Sequence, residues 1–309
     1  RAMALELGAQ SKRPGPGQAQ GVKLTPVQRT LDEAGLHYAT VDVAIDRAGR
    51  TATFTLKAPE QMPPADIAAI EQAGVNWWPL QFARELDDAI LHMRTNELQV
   101  GTWVLKATGE AKHLLAADAS LLQHQEHWLV RETIGLLRRT LARLDVSSRS
   151  LFALIDDNTC FVGMFAELAF AADQTHMLDL PEDPDNAPTL TLDETNFGLF
   201  PMVTGQSRLA RRFYDDTTEI QAAHDTVGKA LDAQRAMALG LVTSIPDDLD
   251  WEDEIRLLLE ERASLSPDAL TGLEANLRFN GVETMWTRIF GRLTAWQNWI
   301  FIRPNAVGK

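Results

Sequence analysis

The sequence predicts an α/β fold that ends in a group of helices. Two short stretches between residues 38 and 57 alternate apolar and polar side chains, as half-buried strands do. Short apolar runs then alternate with amphipathic helical stretches as far as about residue 245, which is the order found in α/β proteins. From there the pattern is helical almost to the C-terminus. These observations together indicate strands and helices in one core, with a helical region after it.

The first 36 residues are expected to precede this core. Residues 1–10 have the composition of a short helix, and residues 11–17 contain two prolines and two glycines, a density typical of linkers. We therefore predict three regions. Residues 1–36 are the tail of a preceding domain plus a linker, residues 37–245 form the α/β core, and residues 246–309 form the C-terminal helical region.

Individual elements follow from the apolar periodicity of each stretch. Residues 38–45 and 51–57 alternate on either side of a polar turn, which predicts a β-hairpin. Apolar spacing at three and four residues predicts helices, and short apolar runs predict buried strands. Within the core we expect helices at 80–95, 127–144, 160–173 and 231–241, strands at 100–107, 151–155, 177–180 and 189–192, and a loop at 113–118. Beyond it we expect helices at 251–263, 267–279 and 284–302.

Composition excludes some classes of partner. The formal charge of −14 argues against nucleic acid as the main partner, because phosphate backbones require a concentrated basic face. No apolar run approaches the roughly 20 residues of a membrane span, so we expect no membrane partner. A single cysteine allows no internal disulfide, and we expect a cytoplasmic protein.

Two carboxylates between residues 151 and 212 are candidates for acid–base chemistry. Glu167 is the one charge inside a long segment of apolar and small residues. Burial of an unpaired carboxylate costs several kcal/mol, roughly, so Glu167 needs a partner or a raised pKa. It is either a catalytic group or a helix carboxylate satisfied by a neighbour. Glu194 follows in a polar stretch and is either a second catalytic carboxylate or a surface acid.

Other polar residues give weaker signals. Cys160 is either a stabilised thiolate or a small core residue. His124 and His127 are three residues apart, but no third ligand follows at a suitable spacing, so we predict no metal site. Arg208, Arg211 and Arg212 either contact phosphate groups of a ligand or form a solvated helix face.

Four short motifs occur in an order that resembles the crotonase (enoyl-CoA hydratase/isomerase) superfamily, over roughly residues 38–279. They are Gly163-Met164-Phe165-Ala166-Glu167-Leu168-Ala169, Glu194 before Gly198-Leu199-Phe200-Pro201, Gly205-Gln206-Ser207-Arg208-Leu209, and the run Ala236 to Val242. The resemblance implies a ββα spiral core with a helical C-terminal appendage. Residues 270–279 and 287–301 resemble more closely the ring-cleaving lyases of this superfamily, as the second of two tandem units.

The resemblance also assigns roles to residues. The backbone N–H groups of Met164 and Ala117 would hold the thioester oxygen, and such donors are worth about 3 kcal/mol each by analogy with other oxyanion holes. Glu167 and Glu194 would be the general acid and base. Arg208, Arg211 and Arg212 would contact coenzyme A. The partners would be an acyl-CoA substrate and further copies of the chain, in a homo-oligomer. No metal or redox cofactor is implied, since the substrate is carried as a coenzyme A thioester.

The implied reaction is water addition to the epoxide of 2,3-epoxybenzoyl-CoA and carbon–carbon cleavage that releases formate. Two alternatives remain open: a non-catalytic structural and oligomerisation half of such an enzyme, and a generic enoyl-CoA hydratase-like protein. The chain also departs from the family pattern. Only Gly163 remains of three glycines, Asp156 to Thr159 stand where Glu-Pro-Gly-Ser is usual, and Trp286 replaces a glutamate.

Overall fold

The computed structural model describes residues 1–10, 21–279 and 283–303. Its strands are β1 (Thr30–Leu31), β2 (Gly35–His37), β3 (Val41–Asp46), β4 (Thr51–Lys57), β5 (Thr102–Thr108), β6 (Ser150–Ile155), β7 (Phe161–Val162), β8 (Gln174–Met177), β9 (Leu190–Thr191) and β10 (Ala230–Leu231). Its helices are α1 (Ala2–Ala9), α2 (Ile67–Ala73), α3 (Trp78–Asn96), α4 (Ala111–Gln123), α5 (Trp128–Asp145), α6 (Ala166–Ala171), α7 (Arg208–Arg212), α8 (Thr217–His224), α9 (Ala233–Ala238), α10 (Trp251–Ser264), α11 (Pro267–Arg278) and α12 (Thr294–Phe301).

Seven strands form the main sheet, in the order β1-β2-β3-β4-β5-β6-β8. The predicted hairpin is confirmed, because β3 and β4 pair antiparallel with Val43 opposite Phe54. Alternate residues of both strands are buried, which is the pattern that the sequence showed. The α/β class is therefore confirmed at the sheet that organises the core.

The second half of the sheet is parallel and positions the candidate site. Strands β4, β5, β6 and β8 run in the same direction. All six residues of β6 are buried, as expected for a strand covered on both faces. Because the carboxyl ends of β5 and β6 lie at one edge, the segments that follow them, α4 and the residues before α6, meet there. The amphipathic helices α3 and α5 pack on each other and bury their apolar stripes in the same core.

A small second sheet lies beside this edge. Its strand order is β10-β9-β7, with β9 antiparallel to β10 and parallel to β7. Two 3₁₀ turns adjoin it, Gly163–Phe165 after β7 and Glu194–Phe197 after β9. The two stretches that carry Glu167 and Glu194 are thereby brought to the same side of the molecule.

Four predicted elements differ from the structure. The strand expected at 177–180 overlaps β8 (Gln174–Met177) only at its first residue. The expected loop at residues 113–118 lies inside α4, because its alanines and leucines favour a helix. The expected helix at 160–173 is a strand, a 3₁₀ turn and the short α6, since Gly163 has a φ of 49° that interrupts a helix. The last helix begins with a π-helical segment, Thr287–Leu293. The proposed linker at residues 11–17 and the residues after 303 lie outside the described residues.

Helices α10, α11 and α12 lie where the sequence predicted helices at 251–263, 267–279 and 284–302. Helix α10 buries none of its residues, whereas α11 buries Leu270 and Glu274 against the core.

No helix of the described residues combines the length and the apolar character needed to cross a bilayer. The only cysteine, Cys160, is buried, and burial raises the pKa of its thiol to about 12. Cys160 is therefore a core residue.

Candidate functional site

The backbone turn at Gly163 forms the centre of the candidate site. Gly163 has a φ of 49°, a left-handed conformation that favours glycine. A Cβ at this position would lie 2.0 Å from Oδ2 of Asp118 and 3.0 Å from Oδ2 of Asp193. Glycine is therefore needed here for two reasons, the backbone angle and the close approach of two carboxyl groups.

The Met164 amide, one of the two expected oxyanion donors, already has a partner. Its N–H donates to Oδ2 of Asp118 at 2.8 Å. The side chain of Met164 is buried as well. In this conformation a thioester oxygen would have to displace the Asp118 carboxyl before it reached the amide.

The second expected donor, Ala117, lies in the seventh position of α4. Backbone N–H groups at such positions donate to the carbonyl four residues before them. The Ala117 amide is thus part of the helix rather than of an open loop. The structure brings Ala117 and Met164 to neighbouring segments, and both amides are engaged within the chain.

Asp118 was not among the residues that the sequence singled out, although it follows Ala117. Its side chain is completely buried, and no described residue hydrogen-bonds to its Oδ1. Burial and then the neighbouring Asp193 raise the pKa of Asp118 well above its usual value. Burial also raises the pKa of Asp193, whose Oδ1 accepts the Thr195 N–H at 2.8 Å. The two acids form a close pair beside Gly163 that favours a shared proton.

Glu167 is buried and has two partners. Its Oε2 accepts from Arg208 at 2.9 Å, and its Oε1 accepts from the Asn196 side chain at 2.8 Å. Asn196 also donates to the carbonyl of Gly163 at 2.9 Å, which connects Glu167 to the turn. Burial raises the pKa of Glu167, although Arg208 and Asn196 act in the opposite direction. The contacts are those of a helix carboxylate satisfied by neighbours.

Glu194 lies apart from this buried cluster. Its side chain is 57% exposed and faces His224 at 3.4 Å. It is Asn196, two residues later, that reaches Glu167. Glu167 and Glu194 thus have separate partners, those of Glu167 buried and that of Glu194 exposed. The structure does not bring the two carboxylates together as an acid–base pair.

The three arginines expected at coenzyme A have different environments. Arg208 is 1% exposed and pairs with Asp145 at 3.0 Å and with Glu167, so it lies inside the fold rather than on a ligand-binding surface. Arg211 lies over the ring of Tyr214, 5.3 Å from its centre. Arg212 donates from Nε to the Gly240 carbonyl at 2.6 Å. Arg211 and Arg212 line a cavity beside α7, together with Arg208.

The residues that depart from the family pattern at 156–159 and 286 make no hydrogen bond to Glu167, whose partners are Arg208 and Asn196. Asp156 pairs with Lys106 at 2.5 Å, and Asn158 occupies a left-handed turn with a φ of 59°. Trp286 is 73% exposed and stacks on Phe290 with 5.2 Å between ring centres.

Within the described ranges, no three His, Cys, Asp or Glu side chains are grouped as metal ligands.

A separate cavity offers apolar volume near the turn. It measures about 350 Å³ and is lined by residues that include Lys57, Ala58, Trp77 and Trp78. The Trp78 ring lies 5.9 Å from the ring of Phe165, the residue after Met164.

Comparisons with known proteins agree with this fold. The chain is 57% identical over 294 residues to a benzoyl-CoA-dihydrodiol lyase of Aromatoleum evansii, covering 95% of this chain and 52% of that protein. The chain thus spans about half the length of this relative. No protein-family model matches it.

Solved structures of enoyl-CoA hydratases superpose on the chain. One from Geobacillus kaustophilus gives a TM-score of 0.61 at 16% identity, covering 88% of this chain and 92% of the other. One from Thermoplasma volcanium gives 0.57 at 18% identity, covering 87% and 94%. At such identities the likeness shows the fold alone.

Proposed function

Because the chain has the crotonase fold and is 57% identical to about half of a benzoyl-CoA-dihydrodiol lyase, we propose that it is part of a lyase acting on an aromatic coenzyme A thioester. The observation that carries this proposal is the identity, which extends over 95% of the chain. The reaction we propose is water addition to the epoxide of 2,3-epoxybenzoyl-CoA, then hydrolytic carbon–carbon cleavage, so that two water molecules are consumed and formate and an unsaturated six-carbon semialdehyde thioester are released. It needs proton transfers and water, so we propose no metal or redox cofactor.

The cavity at Trp77 and Trp78 supports binding of an aromatic acyl group. Ligand pockets of about 300 Å³ or more, lined by aromatic side chains with a few polar groups, suit small organic ligands. This cavity has such a lining, which includes Lys57, and its volume of about 350 Å³ is sufficient for a benzoyl group. Trp78 in this lining contacts Phe165, the residue after Met164, so a ligand in the cavity would lie near the Gly163 turn.

A calorimetric titration of the folded chain with benzoyl-CoA tests the proposal. We expect a dissociation constant in the micromolar range, about −8 kcal/mol in binding free energy. Substitution Trp78→Ala should weaken this binding, whereas Trp286→Ala, at an exposed ring far along the chain, should not. Absence of binding heat from a folded sample would count against an acyl-CoA site in this half.

A second role is favoured by the Asp118 contact. An amide that is occupied by a buried side chain does not bind a substrate oxygen, so this unit would then be the structural and oligomerisation half of a longer lyase. In that role the chain contributes a folded partner for the rest of the protein and for further copies in a homo-oligomer. Both roles are consistent with a cytoplasmic enzyme.

Glu167→Gln in the full-length enzyme separates the two roles. If Glu167 is the general acid or base, formate release should fall by about a hundredfold or more, with the fold retained. Circular dichroism and the melting temperature report whether the fold is retained. Glu260→Gln, at an exposed position of α10, is the matched control and should keep full activity. Unchanged formate release in Glu167→Gln would exclude the catalytic role for this carboxylate.

A further inference from the structure

A cavity of about 360 Å³ lies between the end of α6, helix α7, and helices α10 and α11. Its wall holds two more arginines than carboxyl groups, although the chain as a whole carries a charge of −14. The arginines are Arg208, Arg211, Arg212, Arg262 and Arg278, and the carboxyl groups belong to Asp145, Asp173 and Glu274. Such a local excess of cations inside an acidic protein requires an explanation.

Two of these arginines, Arg208 and Arg278, donate hydrogen bonds from all their guanidinium nitrogens to groups of the protein itself. Arg208 donates to Asp145 at 3.0 and 3.3 Å and to Glu167 at 2.9 Å. Arg278 donates to both carboxyl oxygens of Asp173, at 2.8 and 3.0 Å, and to several backbone carbonyls. Each guanidinium nitrogen of both residues has a partner. Asp145 and Asp173 are therefore neutralised by Arg208 and Arg278, not by the remaining cations.

Arg212 has no carboxylate partner. No acidic oxygen of the described residues lies within ion-pair distance of its guanidinium, and its one hydrogen bond in the structure is from Nε to the Gly240 carbonyl. Burial lowers the pKa of Arg212 to about 10, and no neighbouring acid opposes this shift. A partly buried guanidinium without an anion is costly, because desolvation is not repaid by an ion pair.

Arg262 is the second arginine of this cavity whose N–H donors are not all used. Its Nε is buried and has no hydrogen-bond partner among the described residues. The nearest carboxylate oxygen, on Glu274, is 4.0 Å away. Burial and then Asp173 raise the pKa of Glu274, while Ser150, Arg278 and Arg262 act in the opposite direction. Arg262 also lies over the Phe152 ring, 5.6 Å from its centre, which holds the guanidinium at the cavity wall.

We propose that this cavity binds a phosphate group, with Arg212 and Arg262 as its main donors. The planar guanidinium presents paired N–H groups that match the oxygens of a phosphate. A phosphate group there would accept from Arg212, which has no carboxylate partner among the described residues, and from Arg262, whose nearest carboxylate oxygen is 4.0 Å away. The volume of about 360 Å³ exceeds that of phosphate alone, so the remainder of a phosphate ester also fits. This inference does not depend on the acyl-CoA proposal, because it rests on the charges of a cavity away from the Gly163 turn.

A titration of the chain with inorganic phosphate, at ionic strength held constant with chloride, tests the inference. We expect saturable binding and a rise in melting temperature with phosphate concentration. Arg212→Gln and Arg262→Gln should each weaken phosphate binding at least tenfold. Both substitutions also remove contacts within the protein, from Arg212 to Gly240 and from Arg262 to Glu274 and Phe152, so the dissociation constants are compared at a temperature where every variant is folded.

Arg256→Gln is the matched control. Arg256 is 54% exposed on α10 and pairs with Asp253 and Glu260, so its loss should leave phosphate binding unchanged. Adenosine 3′,5′-bisphosphate in a parallel titration separates two sources of the phosphate: tighter binding than inorganic phosphate indicates a nucleotide, and equal binding indicates free phosphate. The inference is overturned if the folded chain shows no stabilisation by phosphate beyond that by chloride. It is also overturned if Arg256→Gln weakens binding as much as Arg212→Gln.

Discussion

The Asp118 carboxyl determines whether the Met164 amide is available to a ligand. It lies completely buried, accepts this N–H and approaches the Gly163 turn so closely that no side chain fits there. Burial raises its pKa in the folded chain well above 3.8, the ordinary value that applies when the chain unfolds. The folded chain therefore binds this proton more tightly than the unfolded chain, and stability depends on pH through this group.

We predict that Asp118→Asn makes the chain progressively more stable than the unsubstituted protein as the pH rises. The stabilisation from a proton bound by the folded chain is complete below pH 3.8 and is lost as the pH rises toward the folded pKa. An asparagine still accepts from Met164 but does not titrate. The difference in the free energy of unfolding between Asp118→Asn and the unsubstituted protein should therefore grow with pH. Between pH 3.8 and the folded pKa of Asp118 it should grow by up to about 1.4 kcal/mol for each pH unit.

Urea unfolding at pH 5, 6.5 and 8 measures this gap. Asp193 and Glu167 are the other titrating groups near Asp118, and both remain in the two proteins compared. Asp253→Asn, at a side chain that is 76% exposed, is the control and should show a constant difference. A gap for Asp118→Asn that does not change with pH would contradict the prediction.

At the residue scale the sequence predicted some properties and missed others. A lone charge in an apolar helix indicated that Glu167 needs a partner, and the structure provides Arg208 and Asn196. The identity of these partners was hidden, because they lie 41 and 29 residues along the chain. Asp118 was missed because it is the last residue of the loop predicted at 113–118, and an acid in a loop is usually a surface residue. An acid next to an alanine-rich helical pattern would have been the usable signal. The catalytic roles of Glu167 and Glu194 stay predictions.

Arg208 joins three helices in the centre of the fold. It begins α7 and pairs with Glu167 on α6 and with Asp145 at the end of α5. It also donates to the Phe200 carbonyl at 2.8 Å, which fixes the chain before α7. All three charged side chains are nearly inaccessible to water, so each depends on the others for compensation.

We predict that Arg208→Gln lowers the free energy of unfolding by about 3–5 kcal/mol, because two carboxylates then remain buried without a cation. Urea unfolding at pH 7 measures the loss. Arg256→Gln, which removes an exposed arginine, should leave the unfolding midpoint unchanged. A loss below about 1 kcal/mol for Arg208→Gln would mean that water or proton uptake replaces the arginine, and would contradict the prediction.

At the element scale, periodicity predicted what depends on local sequence. The hairpin β3–β4, the amphipathic helices α3 and α5, and strand β6 were located within a few residues. The failures have local causes too. Residues 113–118 were assigned to a loop despite their alanines and leucines, and the long helix expected at 160–173 is interrupted by the left-handed Gly163. Asp118 and Asp193, the carboxyl groups that approach Gly163, come from distant parts of the sequence, which no local pattern reveals.

At the scale of the whole molecule, helix α11 connects the C-terminal helices to the core. Arg278 pairs with Asp173 at 2.8 Å and donates to the carbonyls of Leu144, Asp145, Ser147 and Arg149. Glu274, one turn earlier on α11, accepts from the buried Ser150 hydroxyl at the start of β6. These polar contacts of α11 add to its buried Leu270 and to the contact of Arg262 on α10 with Phe152 in attaching the C-terminal helices to the sheet.

We predict that Arg278→Gln loosens α11 without unfolding the sheet. Amides of α11 should exchange with deuterium at least tenfold faster, because the helix loses its bonds to four core carbonyls and to Asp173. Amides of β5 and β6 should keep their protection. Hydrogen exchange read by mass spectrometry resolves these segments, with Arg256→Gln on α10 as the control. Equal acceleration in β5, β6 and α11 would show a global loss of stability instead.

The order of motifs predicted the fold of the whole molecule better than any single element did. Four short motifs in sequence sufficed for the crotonase fold, which the superposed hydratases confirm. The region boundaries at residues 36 and 245 stay predictions. The arginine-lined cavity was beyond prediction, because Arg212 and Arg262 are 50 residues apart in sequence and only the packing of α7 against α10 and α11 brings them to one wall.

The buried thiol of Cys160 makes the chain suited to single-site chemical labelling. A thiol with a pKa of about 12 in the core reacts with maleimides only after the surrounding structure opens. A cysteine introduced at the exposed Tyr214, beside the arginine-lined cavity, would therefore carry a fluorophore alone. The rate at which Cys160 itself is modified then reports how often the surrounding structure opens, and mass spectrometry of the same sample measures that rate.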